Sequence, residues 1–114
     1  MLKIPKRFQL GPHDVKVHIV TSKEMAKVND AIAAIDGEEK DESPPWGLWI
    51  RGENAIFIQK VRVGFNQSQQ LHTFFHELTH AIFSLLNESD LNENERLVDQ
   101  CGLMLHQFHQ TAKY

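Results

Sequence analysis

Residues 66–86 read Asn66-Gln67-Ser68-Gln69-Gln70-Leu71-His72-Thr73-Phe74-Phe75-His76-Glu77-Leu78-Thr79-His80-Ala81-Ile82-Phe83-Ser84-Leu85-Leu86, and this stretch decides how the chain is built. Leu71, Phe74, Phe75, Leu78, Ala81, Ile82, Leu85 and Leu86 recur at the i, i+3, i+4, i+7 spacing of an amphipathic helix. Asn66, with Gln69 three residues on, supplies a capping box at its start. At about 100° per residue from Leu71, the apolar stripe covers roughly 280° to 40°, while His76, Glu77 and His80 fall at about 140°, 240° and 180°. The helix therefore has a core face and a second face of different chemistry.

Outward from this helix the chain divides by composition. Residues 1–13 mix Pro5, Gly11 and Pro12 with basic residues and are expected to be an irregular lead-in. Val15, Val17 and Ile19 alternate with polar residues as in a strand, and Thr21 with Glu24 caps a helix carrying Met25, Val28, Ile32 and Ile35 at helical spacing. Residues 37–45 hold Gly, Pro and acids without an apolar residue and read as a solvated loop. Residues 47–51 and 55–63 are rich in β-branched and aromatic residues around Gly52-Glu53-Asn54, which predicts a β-hairpin. After a polar break at 87–94, Leu97, Val98, Cys101, Met104, Leu105 and Phe108 define the apolar face of a last helix. Strand, helix, hairpin, helix, helix is an α+β order.

Length and charge narrow the function. The 114 residues suit one domain, 1–114, with no second core. With 41% hydrophobic and 24% charged residues, and no apolar run near the roughly 18 to 20 residues of a membrane span, a soluble globular protein is expected. Twelve Lys and Arg against fifteen Asp and Glu give a net charge of −3, so no basic field recruits nucleic acid. A single cysteine, Cys101, excludes an internal disulfide and thiolate-clustered zinc fingers, and it sits on the apolar side of its helix as a small hydrophobe. With no apolar secretory segment after Met1-Leu2-Lys3-Ile4-Pro5, a cytoplasmic location is expected.

His76-Glu77-Leu78-Thr79-His80 is an H-E-x-x-H pattern. Residues four apart on a helix are separated by about 40° around the axis and about 6 Å along it, so both imidazoles can face one ion. Glu77 flanks them where a base acting on a metal-bound water belongs. The plainer alternatives are a surface helix with two solvated histidines, or a structural zinc site that would need two further protein ligands. Glu95 and Asp99, i and i+4 on the last helix, lie off its apolar face, Glu95 as the third ligand and Asp99 as acceptor of one histidine's second N–H. Against this, Asn92 to Glu95 is itself a capping-box spacing, and Glu88, Asp90, Glu93 and Asp99 are rival ligands. His72, one turn before His76, either reaches the site's edge or is simply exposed. His106, on the face of Glu95 and Asp99, either stabilises an oxyanion at the metal or plays no part. Trp46 and Trp49 either pack or line a substrate groove. His13, His18 and His109 receive no role.

With these residues in view, the sequence resembles the zincin metallopeptidases, most of all over residues 66–108, and in layout the short single-domain bacterial and phage kind that includes the ImmA/IrrE-like group. The resemblance implies a small mixed sheet packed on the H-E-x-x-H helix and a peptide or protein substrate bound along a strand edge, with residues 55–63 as the candidate strand. It implies one zinc ion held by His76, His80 and Glu95, with Glu77 as general base and acid. The chain departs from larger gluzincins in having only fourteen residues between His80 and Glu95, and from metzincins in lacking a His-x-x-Gly-x-x-His continuation. Two other readings stand beside peptide hydrolysis: a non-catalytic zincin-fold protein that binds a repressor or host partner, and hydrolysis of another amide such as peptidoglycan.

Overall fold

The computed structural model describes residues 3–36 and 44–114, and within it the chain is α+β. Strands β1 (Arg7–Leu10), β2 (His13–Val20), β3 (Gly47–Ile50) and β4 (Ala55–Gln59) form one mixed sheet in the order β1-β2-β4-β3. The β1–β2 and β3–β4 pairs are antiparallel and β2–β4 is parallel. Helices α1 (Ser22–Asp36), α2 (Gln67–Leu85), α3 (Ser89–Glu93) and α4 (Glu95–Thr111) complete it. The acidic loop expected at 37–45 lies, up to Ser43, outside the described residues. Among the described residues no helix is long and apolar enough to cross a membrane.

The capping boxes form as expected. Thr21 and Glu24 exchange backbone and side-chain hydrogen bonds at 3.1 and 3.2 Å, and Asn66 and Gln69 do so at 2.8 and 2.9 Å. The apolar stripe of α2 meets one face of the sheet, where Phe74 and Phe75 join Val15, Val17, Ile56, Ile58 and Phe65 in the core. The hairpin also forms, but its turn is a single 3-10 turn, Arg51–Glu53, closed by Asn54 in the left-handed region at φ 48°.

Three expectations are corrected. Residues 1–13 are not wholly irregular: β1 pairs with β2 from Arg7↔Lys16 to Leu10↔His13, and Ile4, Phe8 and Leu10 pack against the core. Gly11, at φ +57°, makes the turn, so the residues read as breakers are a hairpin's corner. The segment 55–63 is strand only to Gln59, and β4 lies between β2 and β3, so it has no free edge. The free edge on this side of the sheet belongs to β3, which lies directly on α2. A Cβ built on Gly47 would stand 2.5 Å from Thr73 Cγ2 and 2.8 Å from Glu77 Cγ, a separation only glycine allows. Finally, α4 packs on α2 through Val98, Gly102 and His106, whereas Met104 and Phe108 of the expected apolar face are 67% and 62% exposed.

Candidate metal centre

The site is assembled by the reversal between α2 and α4. Helix α2 ends in a Schellman motif: Glu88 N–H donates to Phe83 O at 2.9 Å, Asn87 N–H donates to Ser84 O at 3.1 Å, and Asn87 takes φ 59°. Asparagine tolerates that left-handed conformation better than most residues. Its side chain also accepts from Arg51 Nη2 at 2.6 Å, tying the β3–β4 turn to the end of α2. The break expected at 87–94 contains the short α3, and Asn94 then caps α4 by accepting from Leu97 N–H at 3.1 Å. Glu95 is thereby the first residue of α4, and the cap that competed for its role is Asn94 instead. Gly102 lets the helices close: a Cβ there would stand 3.0 Å from the backbone N and Cα of His76.

This brings the expected ligands together. Glu95 Oε2 stands 3.3 Å from His76 Nε2, and Glu95 Oε1 stands 3.2 Å from His80 Nε2. One donor atom from each of the three residues lies within 4.8 Å of the others, the one such group among the described residues. Donors bound at about 2.0–2.1 Å to one tetrahedral ion stand about 3.3–3.4 Å apart. Each histidine has that spacing to a different Glu95 oxygen, so the group could hold a metal ion. The remaining ring nitrogens are occupied. His76 Nδ1 pairs with Asp99 Oδ1 at 3.3 Å, and His80 Nδ1 with Asn92 Oδ1 at 2.7 Å. With Nδ1–H donating to these oxygens, the lone pair of each Nε2 is free for a cation. The rivals Glu88, Asp90 and Glu93 are exposed and outside this donor group.

Asp99 therefore stands where sequence reasoning put it, and His72 joins it: His72 Nε2 pairs with Asp99 Oδ1 at 3.0 Å. Partial burial pushes the Asp99 carboxyl upward, but the hydrogen bonds from His72 and His76 outweigh it and hold the group below the usual carboxylate range. Asn92 is the residue sequence reasoning missed. The signal available was a count of partners, since two candidate ligand histidines need two acceptors and Asp99 supplies one.

Glu77 lies beneath β3 and is 8% exposed. Burial pushes its carboxyl up to about 7; Glu95 adds to the rise, while His80 and the backbone N–H of Trp49 oppose it. A carboxylate of that basicity can accept a proton near neutral pH and return it. His106 is buried in the α2–α4 interface, its ring 5.4 Å from that of Phe75 and nearly parallel to it, and it is not in the donor group. Cys101 is a half-buried free thiol, and Trp49 packs against the core.

No family model, curated protein or solved structure matches the chain.

Proposed function

We propose that this chain is a zinc-dependent hydrolase, a zincin-like metallopeptidase in which His76, His80 and Glu95 hold one zinc ion and Glu77 is general base and acid. The observation that carries this reading is the placement of a buried carboxyl with a raised pKa next to three donors at zinc-like spacing. When bound, zinc supplies Lewis acidity to water and to the scissile carbonyl.

The chain's own residues supply the rest. Asp99 and Asn92 hold the two imidazoles in the tautomer that binds metal. Glu77 Oε takes a proton from the attacking water and delivers it to the departing amine. The outer edge of β3, where the Trp49 N–H already turns to Glu77, is the edge along which an extended peptide would pass Glu77. Glu95, with a side chain 67% exposed, leaves the site open to solvent on its own side. An unpaired Cys101 suits a reducing, cytoplasmic setting.

The reading is tested by offering zinc-loaded protein a mixture of unstructured peptides. Cleavage that a chelator abolishes and added zinc restores is the expected result, and His80→Ala is expected to lose both metal and cleavage. Tight zinc binding without cleavage of any peptide contradicts the peptidase and favours a binding protein.

A further inference from the structure

We propose that the cleft of about 400 Å³ between the start of β3 and the α2–α4 pair is a side-chain pocket for the substrate, selecting a bulky uncharged residue with a hydrogen-bonding tip, above all tyrosine. The inference rests on the peptidase reading and adds to it the residue that reading leaves open.

Position comes first. Thr73, in the pocket wall, precedes Glu77 by one turn of α2, and both side chains abut Gly47 of β3. His72, also in the wall, shares Asp99 with the candidate ligand His76. An extended peptide on the β3 edge that presents its scissile bond to Glu77 places a neighbouring side chain at this opening. Trp46, the aromatic wall, is held from two sides. Its ring lies 4.7 Å from that of Phe65, and the carbonyl of the adjacent Pro45 accepts from the fully buried Gln59 at 2.8 Å.

Chemistry comes second. Trp46 and Leu103 provide apolar area for an aromatic ring, and among the described residues no Asp, Glu, Lys or Arg lines the cleft. A charged side chain would lose hydration there without a counter-charge. His106 contributes to the lining, is 5% exposed, and its buried Nε2 has no hydrogen-bond partner among the described residues. A buried polar nitrogen left unpaired is costly, and a ligand hydroxyl that reaches it removes that cost. Burial first, then His72 and His109, hold the pKa of His106 below the ordinary histidine value, so the ring meets the ligand uncharged.

The test is a set of otherwise identical capped peptides that vary one residue, with zinc-loaded wild type, His106→Phe and Ser68→Asp. Wild type is expected to cleave beside tyrosine roughly three- to tenfold faster than beside phenylalanine, the range of one neutral hydrogen bond, and faster still than beside lysine or glutamate. His106→Phe keeps the stack on Phe75 and is expected to bring tyrosine and phenylalanine to equal rates. Ser68→Asp adds a carboxylate to the wall in the first turn of α2, where it suits the helix dipole, and is expected to favour lysine. Cleavage without residue preference, or a preference that neither variant alters, overturns the pocket and leaves the peptidase standing. If no peptide is cleaved, the peptidase reading fails, and NMR decides the pocket. Shifts of the Trp46 and His106 ring signals with the tyrosine peptide and not the lysine peptide support it; their absence overturns it.

Discussion

Two imidazoles one helical turn apart need an acceptor each, and they receive different ones: the carboxylate of Asp99 for His76 and the neutral amide of Asn92 for His80. Loss of such a partner weakens metal binding roughly 10- to 100-fold. Asp99→Ala and Asn92→Ala are each expected to lower zinc affinity within that range, checked by competition with a chromophoric chelator. Glu77 makes a second prediction, on stability. Its folded pKa of about 7 lies above the ordinary 4.5, so between those values the folded state holds a proton the unfolded state has released. Stability is therefore greatest below pH 4.5 as far as this group is concerned, and falls as pH rises toward 7, by on the order of 3 kcal/mol. Metal-free Glu77→Gln protein lacks that term. Its stability advantage over wild type is expected to grow from pH 4.5 to 7 and then level off, measured by urea unfolding at each pH. The shared face of His76 and His80 was legible because helical periodicity places residues i and i+4 together, whereas the approach of Glu95 from α4 depends on the packing of two helices. Asn92 was not, because an asparagine in a polar break looks like any turn residue.

Helix α4 shows where periodicity misleads. Its apolar residues Met104 and Phe108 stand in the open, while Val98, Gly102 and His106 meet α2, where Gly102 lets the helices approach closely. Gly102 is the contact point. Gly102→Ala puts a methyl against the backbone of His76 and is expected to cost about 1–3 kcal/mol, with weaker zinc binding, as α4 is pushed away. Gly52→Ala, which meets nothing within 4 Å, is the control. At the other end of the reversal, Asn87→Val forces a β-branched residue into φ 59° and removes the bond to Arg51. A clear fall in thermal midpoint is expected, with a smaller one for Asn87→Gly, which keeps the backbone geometry. Caps and the H-E-x-x-H helix were readable from local spacing. Strand β1 was not, because Gly11 and Pro12 mark a turn equally well whether or not a strand precedes it.

The α+β class followed from the order of local patterns, but the parallel pairing of β2 with β4 and the placement of β3 at the edge depend on contacts between distant segments, which no local pattern encodes. That placement puts the edge strand β3, the buried Glu77 carboxyl and the candidate donor group side by side. Because the donors come from both α2 and α4, zinc at a hundred times its Kd should add about 2.7 kcal/mol to folding. For a chain of this size that is a rise in thermal midpoint of roughly 10–20 °C, read by scanning with zinc and with chelator. The most direct measurement compares wild type with Glu77→Gln for zinc content and peptide cleavage in the same preparation. One zinc per chain in both proteins, with cleavage reduced roughly 10²–10⁴-fold in the variant, is the predicted result. Undiminished cleavage by Glu77→Gln, or wild type purified without zinc and unable to bind it, contradicts the assignment.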